Sequence, residues 1–467
     1  MSPNLLAVLR ALSKPQRRAL VKFSRSPYHV THAGVGKMLD YLLEHLHLPE
    51  ISREALLEKL AEWEEQADPR RLYHLTNYTM ETVEQFLAQE TRQNAQHLQH
   101  ADTIEALRHL HLEEPATQML KYARKRLEQD TLRGLAFYQA DLRLHWEAYH
   151  LSLQQGRVKT SNAQALSEAQ DIAFICEKLR TGCMMLSQQV VSQQQFDKGL
   201  LQPVLQFLDG HHYLNIPVVA AYYHGYYAQL GESGTDAYFS RLKDLLQNHA
   251  TQFSLSETHD LYLMAINFCI RQINQQNERF YTEIFDLYRS GLAQGALLEN
   301  GVLSRFTFNN ITRVGLRLQA YAWVKEFLHE YAPLLPETHR EGATHFNLAR
   351  YFFETGAYKE AMQHLLYIEY DDVLHNLAAK SILCKIYFNL GEYDTLENQL
   401  DSLLIYLRRK KVLGYHRDTY LTTIKFFRKL VNLNPNNAAE KERLRQEIES
   451  TPALAEREWL LKALERE

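Results

Sequence analysis

Along residues 346–366, FNLARYFFETGAYKEAMQHLL, apolar positions recur at helical spacing on both sides of a single glycine. Leu348, Ala349 and Phe352 form one stripe before Gly356, and Tyr358, Ala361 and Leu365 form another after it. The pattern predicts two amphipathic helices joined by a tight turn. Gly356 tolerates the left-handed backbone that ends the first helix. Ala349 and Ala361 are small enough for the helix backbones to approach, and Phe352 and Tyr358 fill the space beside them.

The same order returns 35 residues later in ILCKIYFNLGEYDTLENQL, where Leu383, Cys384, Tyr387, Gly391, Tyr393, Leu396 and Leu400 take the matching places. Toward the N-terminus, the aromatic that opens the second helix recurs as Tyr321, Phe280, Tyr238 and Phe196, at steps of 37, 41, 42 and 42 residues. One stack of six hairpins then accounts for residues from about 170 to 411. Each hairpin leaves one apolar face without a partner, so stacking on its neighbours is what buries it. Strands have little support, because β-branched runs with period two are hard to find.

Both hairpins resemble the tetratricopeptide repeat, a helix-turn-helix unit of about 34 residues. His345 and Lys380 stand where its signature tryptophan belongs, so the match is degenerate. The resemblance implies an elongated superhelix with function on its concave groove.

Ahead of the array, Ser13 is placed to cap a helix, Pro15 suits its first turn and Pro27 ends it. GVGKMLDYLLEHL, SREALLEKLAEWEEQ and LYHLTNYTMETVEQFLAQETRQ predict further helices, followed by EALRHLHL, TQMLKYARKRLEQ and AFYQADLRLHWEAYHLSL. The polar segment 154–164 reads as a loop or hinge, and LNPNN at 433–437 stops a helix. The expected fold is all-α: an α-solenoid with an N-terminal helical domain over 1–100, a repeat array over 101–437 and capping helices over 438–467.

Leu12, Ser13, Ser26, Pro27 and Tyr28, with EALRHLHL, QMLKYARKRLEQ and YQADLRLHWEAY after them, resemble an uncharacterised bacterial family whose first helix ends in Ser-Pro-Tyr. That resemblance implies a tetratricopeptide-like fold in a bacterial cytoplasm. It carries no activity over to individual residues.

A chain of 467 residues exceeds what one compact core fills, which agrees with several domains or a repeat array. The net charge of −4 excludes a global polycation for nucleic acid. No apolar run approaches the roughly 20 residues that span a bilayer, and the N-terminal charges follow the apolar run, the reverse of a secretory signal, so a cytoplasmic location is expected. Cys176, Cys183, Cys269 and Cys384 form no C-x-x-C and sit among apolar neighbours, as core thiols do.

Catalytic motifs fail their own spacing tests. Gly34 and Gly36 in HAGVGKM are too close for a phosphate loop, and Met38 follows Lys37. In His416-Arg417-Asp418 the kinase loop's metal-binding asparagine is replaced by Thr423. His97, His100, His109 and His111 lie near Glu113 and Glu114 without a ligand spacing that fixes a metal. No enzyme activity, metal or cofactor is expected.

Binding surfaces are better supported. Arg313, Arg350 and Lys385 fall at equivalent places on consecutive hairpins, with Asn310 and Asn347 three residues before the arginines. Stacking should align them into a ladder suited to an acidic peptide or a terminal carboxylate, although solvated charges explain the same pattern. The expected function is a non-enzymatic scaffold or adaptor holding a peptide or helix of a protein partner. The alternative is a nucleic-acid-binding regulator. Residues 1–39 carry seven cations and no acid, and Lys14, Arg18, Lys22 and Arg25 form a stripe opposite Leu20 and Phe23. That stripe also fits a solvated face, or pairing with the acidic helix that follows. The block Arg408, Arg409, Lys410, Lys411, Arg417, Lys425, Arg428 and Lys429 reads as a loop and helix ends. Tyr222, Tyr223, Tyr226 and Tyr227 read as core before interface.

Overall fold

A computed structural model describes residues 3–63, 68–94, 96–154, 162–192, 194–231, 234–366, 373–409, 415–434, 437–452 and 454–465. It divides into two compact units, Met1–Glu177 and Lys178–Glu467.

The first unit starts with α1 (Pro3–Ala11), α2 (Lys14–Ser24), α3 (Ala33–Glu44), α4 (Arg53–Trp63) and α5 (Pro69–Asn94). Leu5, Leu9, Leu20, Met38, Leu42 and Leu60 come together as their core. Ser13 caps α2 as expected: its hydroxyl accepts from the Gln16 amide, and the Gln16 side chain accepts from the Ser13 amide at 2.9 Å. The helix over α1 was not foreseen, although Leu5 and Leu9 stand one turn apart and both are fully buried. Next come α6 (Gln96–His109), α7 (Glu113–Glu128), α8 (Leu135–Gln154) and α9 (Ala163–Ser192), the last running past the division at residue 177. Ile104, Leu120, Leu127 and Leu144 fill the core of α6, α7 and α8, beside a buried Glu147 that accepts from Arg108 Nε at 3.3 Å. His97 is engaged by Asp130 at 2.9 Å, and among the described residues no cluster suits a metal. Residues 155–161 of the expected hinge lie outside the described residues.

The second unit is an all-α helical-repeat fold. After α10 (Leu201–Leu208), helices follow in pairs: α11 (Pro217–Leu230) with α12 (Asp236–His249), and α13 (Leu255–Asn274) with α14 (Phe280–Ala293). Then come α15 (Arg305–Arg317) with α16 (Tyr321–Tyr331), α17 (Glu337–Glu354) with α18 (Tyr358–Leu366), and α19 (Val373–Leu390) with α20 (Tyr393–Arg409). First helices of neighbouring pairs also pack on one another, α11 on α13, α15 on α17 and α17 on α19. Phe280, Tyr321, Tyr358 and Tyr393 each open a second helix, and Tyr238 lies in the first turn of α12.

Phe196 breaks the series. It lies outside a helix, and α10 begins five residues later, where Leu201, Val204, Leu205 and Leu208 supply the buried stripe that polar Gln194, Gln195, Asp197 and Lys198 do not. Gly356 and Gly391 hold φ of 79° and 73°, the left-handed turn expected of them. The only strands among the described residues are β1 (Leu298–Glu299) and β2 (Val302–Leu303), an antiparallel ribbon turned by Asn300-Gly301. All four cysteines are buried, as are Tyr222, Tyr223 and Tyr226.

The array ends with α21 (Tyr415–Val431), α22 (Ala438–Ser450) and α23 (Arg457–Leu464). Part of the second basic block is thus helical: Arg428 pairs with Glu397 at 3.1 Å and Asp401 at 2.6 Å, and Lys429 pairs with Glu447. Lys410 and Lys411 lie outside the described residues. Among the described residues no helix is long and apolar enough to cross a membrane.

Candidate functional site

The site is built by helices whose apolar faces are spent on packing. On α15, Phe308, Ile311, Thr312 and Gly315 are buried, which turns Asn310, Arg313 and Arg317 away from that core. On α17, Phe346, Ala349 and Phe353 enter the core and leave Arg350 at its edge. On α19, Ile382 and Ile386 do the same for Lys385. The result is one cavity of about 1290 Å³, lined by Asn310, Arg313, Arg350 and Lys385 together. Four of the five residues read as a ladder therefore meet at one place.

Asn347 does not join them. It is fully buried, and its Nδ2 donates to Asn309 Oδ1 at 2.5 Å and to the Ala343 carbonyl at 2.8 Å. It fastens α17 to α15, because its position falls on the packed side of the helix where Phe346 and Ala349 sit.

The cations differ in how they are answered. Lys385, only 7% exposed, donates from Nζ to Glu456 Oε2 at 2.8 Å and lies 4.8 Å from the centre of the Phe353 ring. Arg317, which sequence reading overlooked, joins Glu278 at 3.0 Å and also pairs with Glu458. Arg350 is half-buried, its guanidinium 5.7 Å from the Phe346 ring centre, and it has no hydrogen bond or ion pair among the described residues. Burial and the neighbouring Arg313 push its pKa down to about 10. Arg313 is exposed and likewise unpaired among the described residues.

Apart from Glu278, just before α14, the answering carboxylates come from the C-terminal end of the unit. Glu456 immediately precedes α23, and Glu458 lies within it. Burial alone would raise the Glu456 carboxyl, but Lys385, then Arg350 and Arg313, hold it below the usual carboxylate range. Its position is fixed by its neighbours in the chain: the Ala455 carbonyl accepts from Thr423 at 3.2 Å, and Trp459 stacks on Phe427 at 5.1 Å and meets Phe388 edge-on at 5.4 Å. Arg457 turns back onto the carbonyls that close α22, among them Glu449 at 3.4 Å and Thr451. Among the described residues the cavity wall carries six cations against four carboxylates, so its excess charge is positive.

Chemically, this wall offers guanidinium and amide donors beside aromatic rings, which is equipment for holding an anion with an apolar body.

In the first unit, the stripe expected on α2 exists. Lys14, Arg18, Lys22 and Arg25 are all exposed opposite buried Leu20. Arg25 pairs with Asp40 at 3.0 Å, on α3 rather than on the acidic α4, and the other three have no partner among the described residues. Compared with protein-family models, with curated proteins and with solved structures, the chain gives no match.

Proposed function

We propose that the second unit is a binding module, tetratricopeptide-like in kind, that holds an acidic segment of a protein partner in the cationic cavity as a cytoplasmic scaffold or adaptor. The observation that carries this reading is Arg350. A half-buried guanidinium with no carboxylate hydrogen-bonded to it costs folding free energy, and a ligand anion would offset that cost. Arg313 supplies a second open guanidinium, and Asn310 an amide for the backbone of an extended peptide. Tyr281, Tyr358 and Trp459, partly exposed on the wall, give the apolar part of such a segment a surface to lie on.

The test is a fluorescence titration of Glu- and Asp-rich peptides against the full chain and its Arg313→Glu plus Arg350→Glu variant, with circular dichroism verifying the fold. Affinity should fall more than about tenfold in the variant, as expected when two charge-assisted contacts become repulsive. Lys385 is left intact in this experiment, because reversing its charge would set a second carboxylate against Glu456. Equal affinity for both proteins, or equal binding of neutral peptides, would remove the ladder as the site.

A further inference from the structure

Glu456 stands out in its backbone and in where its side chain goes. Its backbone sits at φ 60° and ψ 21°, the left-handed region where a glutamate is strained and glycine or asparagine is at ease. It occupies the N-cap position of α23, yet its side chain makes no capping hydrogen bond to that helix. That side chain turns to Lys385 instead, across 71 positions of the chain, and no other carboxylate among the described residues forms an ion pair with Arg313, Arg350 or Lys385. The side chain is thus committed to Lys385, while the backbone beside it is held by the Thr423 bond to the Ala455 carbonyl and by the packing of Trp459.

The contact seats a carboxylate on the cluster, the same group an acidic side chain of a peptide would present. We propose that Glu456 is a built-in competitor: its carboxylate fills the Lys385 end of the cavity, and an acidic partner segment gains affinity when that carboxylate is withdrawn. This inference rests on the acidic-segment reading above and adds to it the residue that sets affinity and selectivity. With Glu456 in place, the unpaired cations on the wall among the described residues are Arg313, Arg350 and Lys462, so a ligand reads three. Without it, Lys385 becomes a fourth, and ligands with more closely spaced acids gain most.

The experiment uses fluorescein-labelled hexaglutamate as probe, at low salt, with hexaglutamine as control, on the full chain and on Glu456→Gln and Glu456→Gly. The glutamine variant removes the charge and keeps the shape. The glycine variant also relieves the backbone, so it remains informative if the first folds poorly. Both should bind hexaglutamate about fivefold or more tightly than the unaltered chain, and the peptide should raise their melting temperatures more than that of the unaltered chain. If hexaglutamate binds all three proteins equally, the competitor role is overturned while the acidic-segment reading stands. If it binds none of them, both fall.

Discussion

Burial and Arg313 push the Arg350 guanidinium down to about 10, and the group is still charged at neutral pH. It therefore bears the cost of desolvation without a carboxylate bonded to it among the described residues. Methionine has a similar length, would keep the packing against Phe346, and carries no charge. Arg350→Met is expected to raise stability by on the order of 1 kcal/mol in urea unfolding while weakening acidic-peptide binding, the opposition found where a site is kept for function. A loss of stability of similar size would instead make Arg350 a structural residue. The equivalence of Arg313, Arg350 and Lys385 was readable because repeats place them at matching positions. Asn347 misled because the same spacing puts it on the packed side of α17, where its amide bonds Asn309. Glu456 left no trace in the repeat pattern: its bond to Lys385 spans 71 positions, and periodicity carries no information about a segment folding back from outside the repeats.

At the scale of elements, periodic aromatics located most second helices of the array, although their burial differs, from fully buried Phe280 to exposed Tyr393. The signal failed at Phe196, where polar neighbours interrupt the stripe, and it could not report α1, which lies outside the repeat. Close approach between paired helices is clearest at Gly315 on α15. A Cβ there would stand 2.5 Å from Val324 Cγ2 on α16 and 3.4 Å from Phe285 Cε2 on α14. Two effects oppose each other in Gly315→Ala. Helix propensity gains about 1 kcal/mol, whereas overpacking costs roughly 1–3 kcal/mol. The steric effect wins, because Val324 is fully buried and has little room to move. A net loss of about 1–2 kcal/mol is expected in chemical denaturation. A variant more stable than the parent would show that α16 slides away to accept the methyl group.

For the molecule as a whole, an array of stacked helix pairs has an exposed apolar end unless something polar covers it. In the second unit α22 and α23 cover the apolar side of α20 and α21. Leu444, Ile448, Leu460 and Leu464 enter the same core as Leu403, Leu407, Ile424 and Phe427, while Glu440, Glu442, Arg443 and Glu447 on α22 face outward. The same segment closes the cavity, since Arg317 reaches Glu458 across 141 positions and Lys385 reaches Glu456. Core packing and the cavity wall are thus joined through one segment. Deleting residues 438–467 should uncover the Phe427 side of the core. The truncated protein is expected to bind anilinonaphthalene sulfonate strongly, to self-associate in a concentration-dependent way by sedimentation velocity, and to melt at lower temperature. A truncated chain that stayed monomeric, with unchanged dye fluorescence and melting, would show that α20 and α21 close the array by themselves. The contacts of α23 with the cavity would then be the sole reason for its presence.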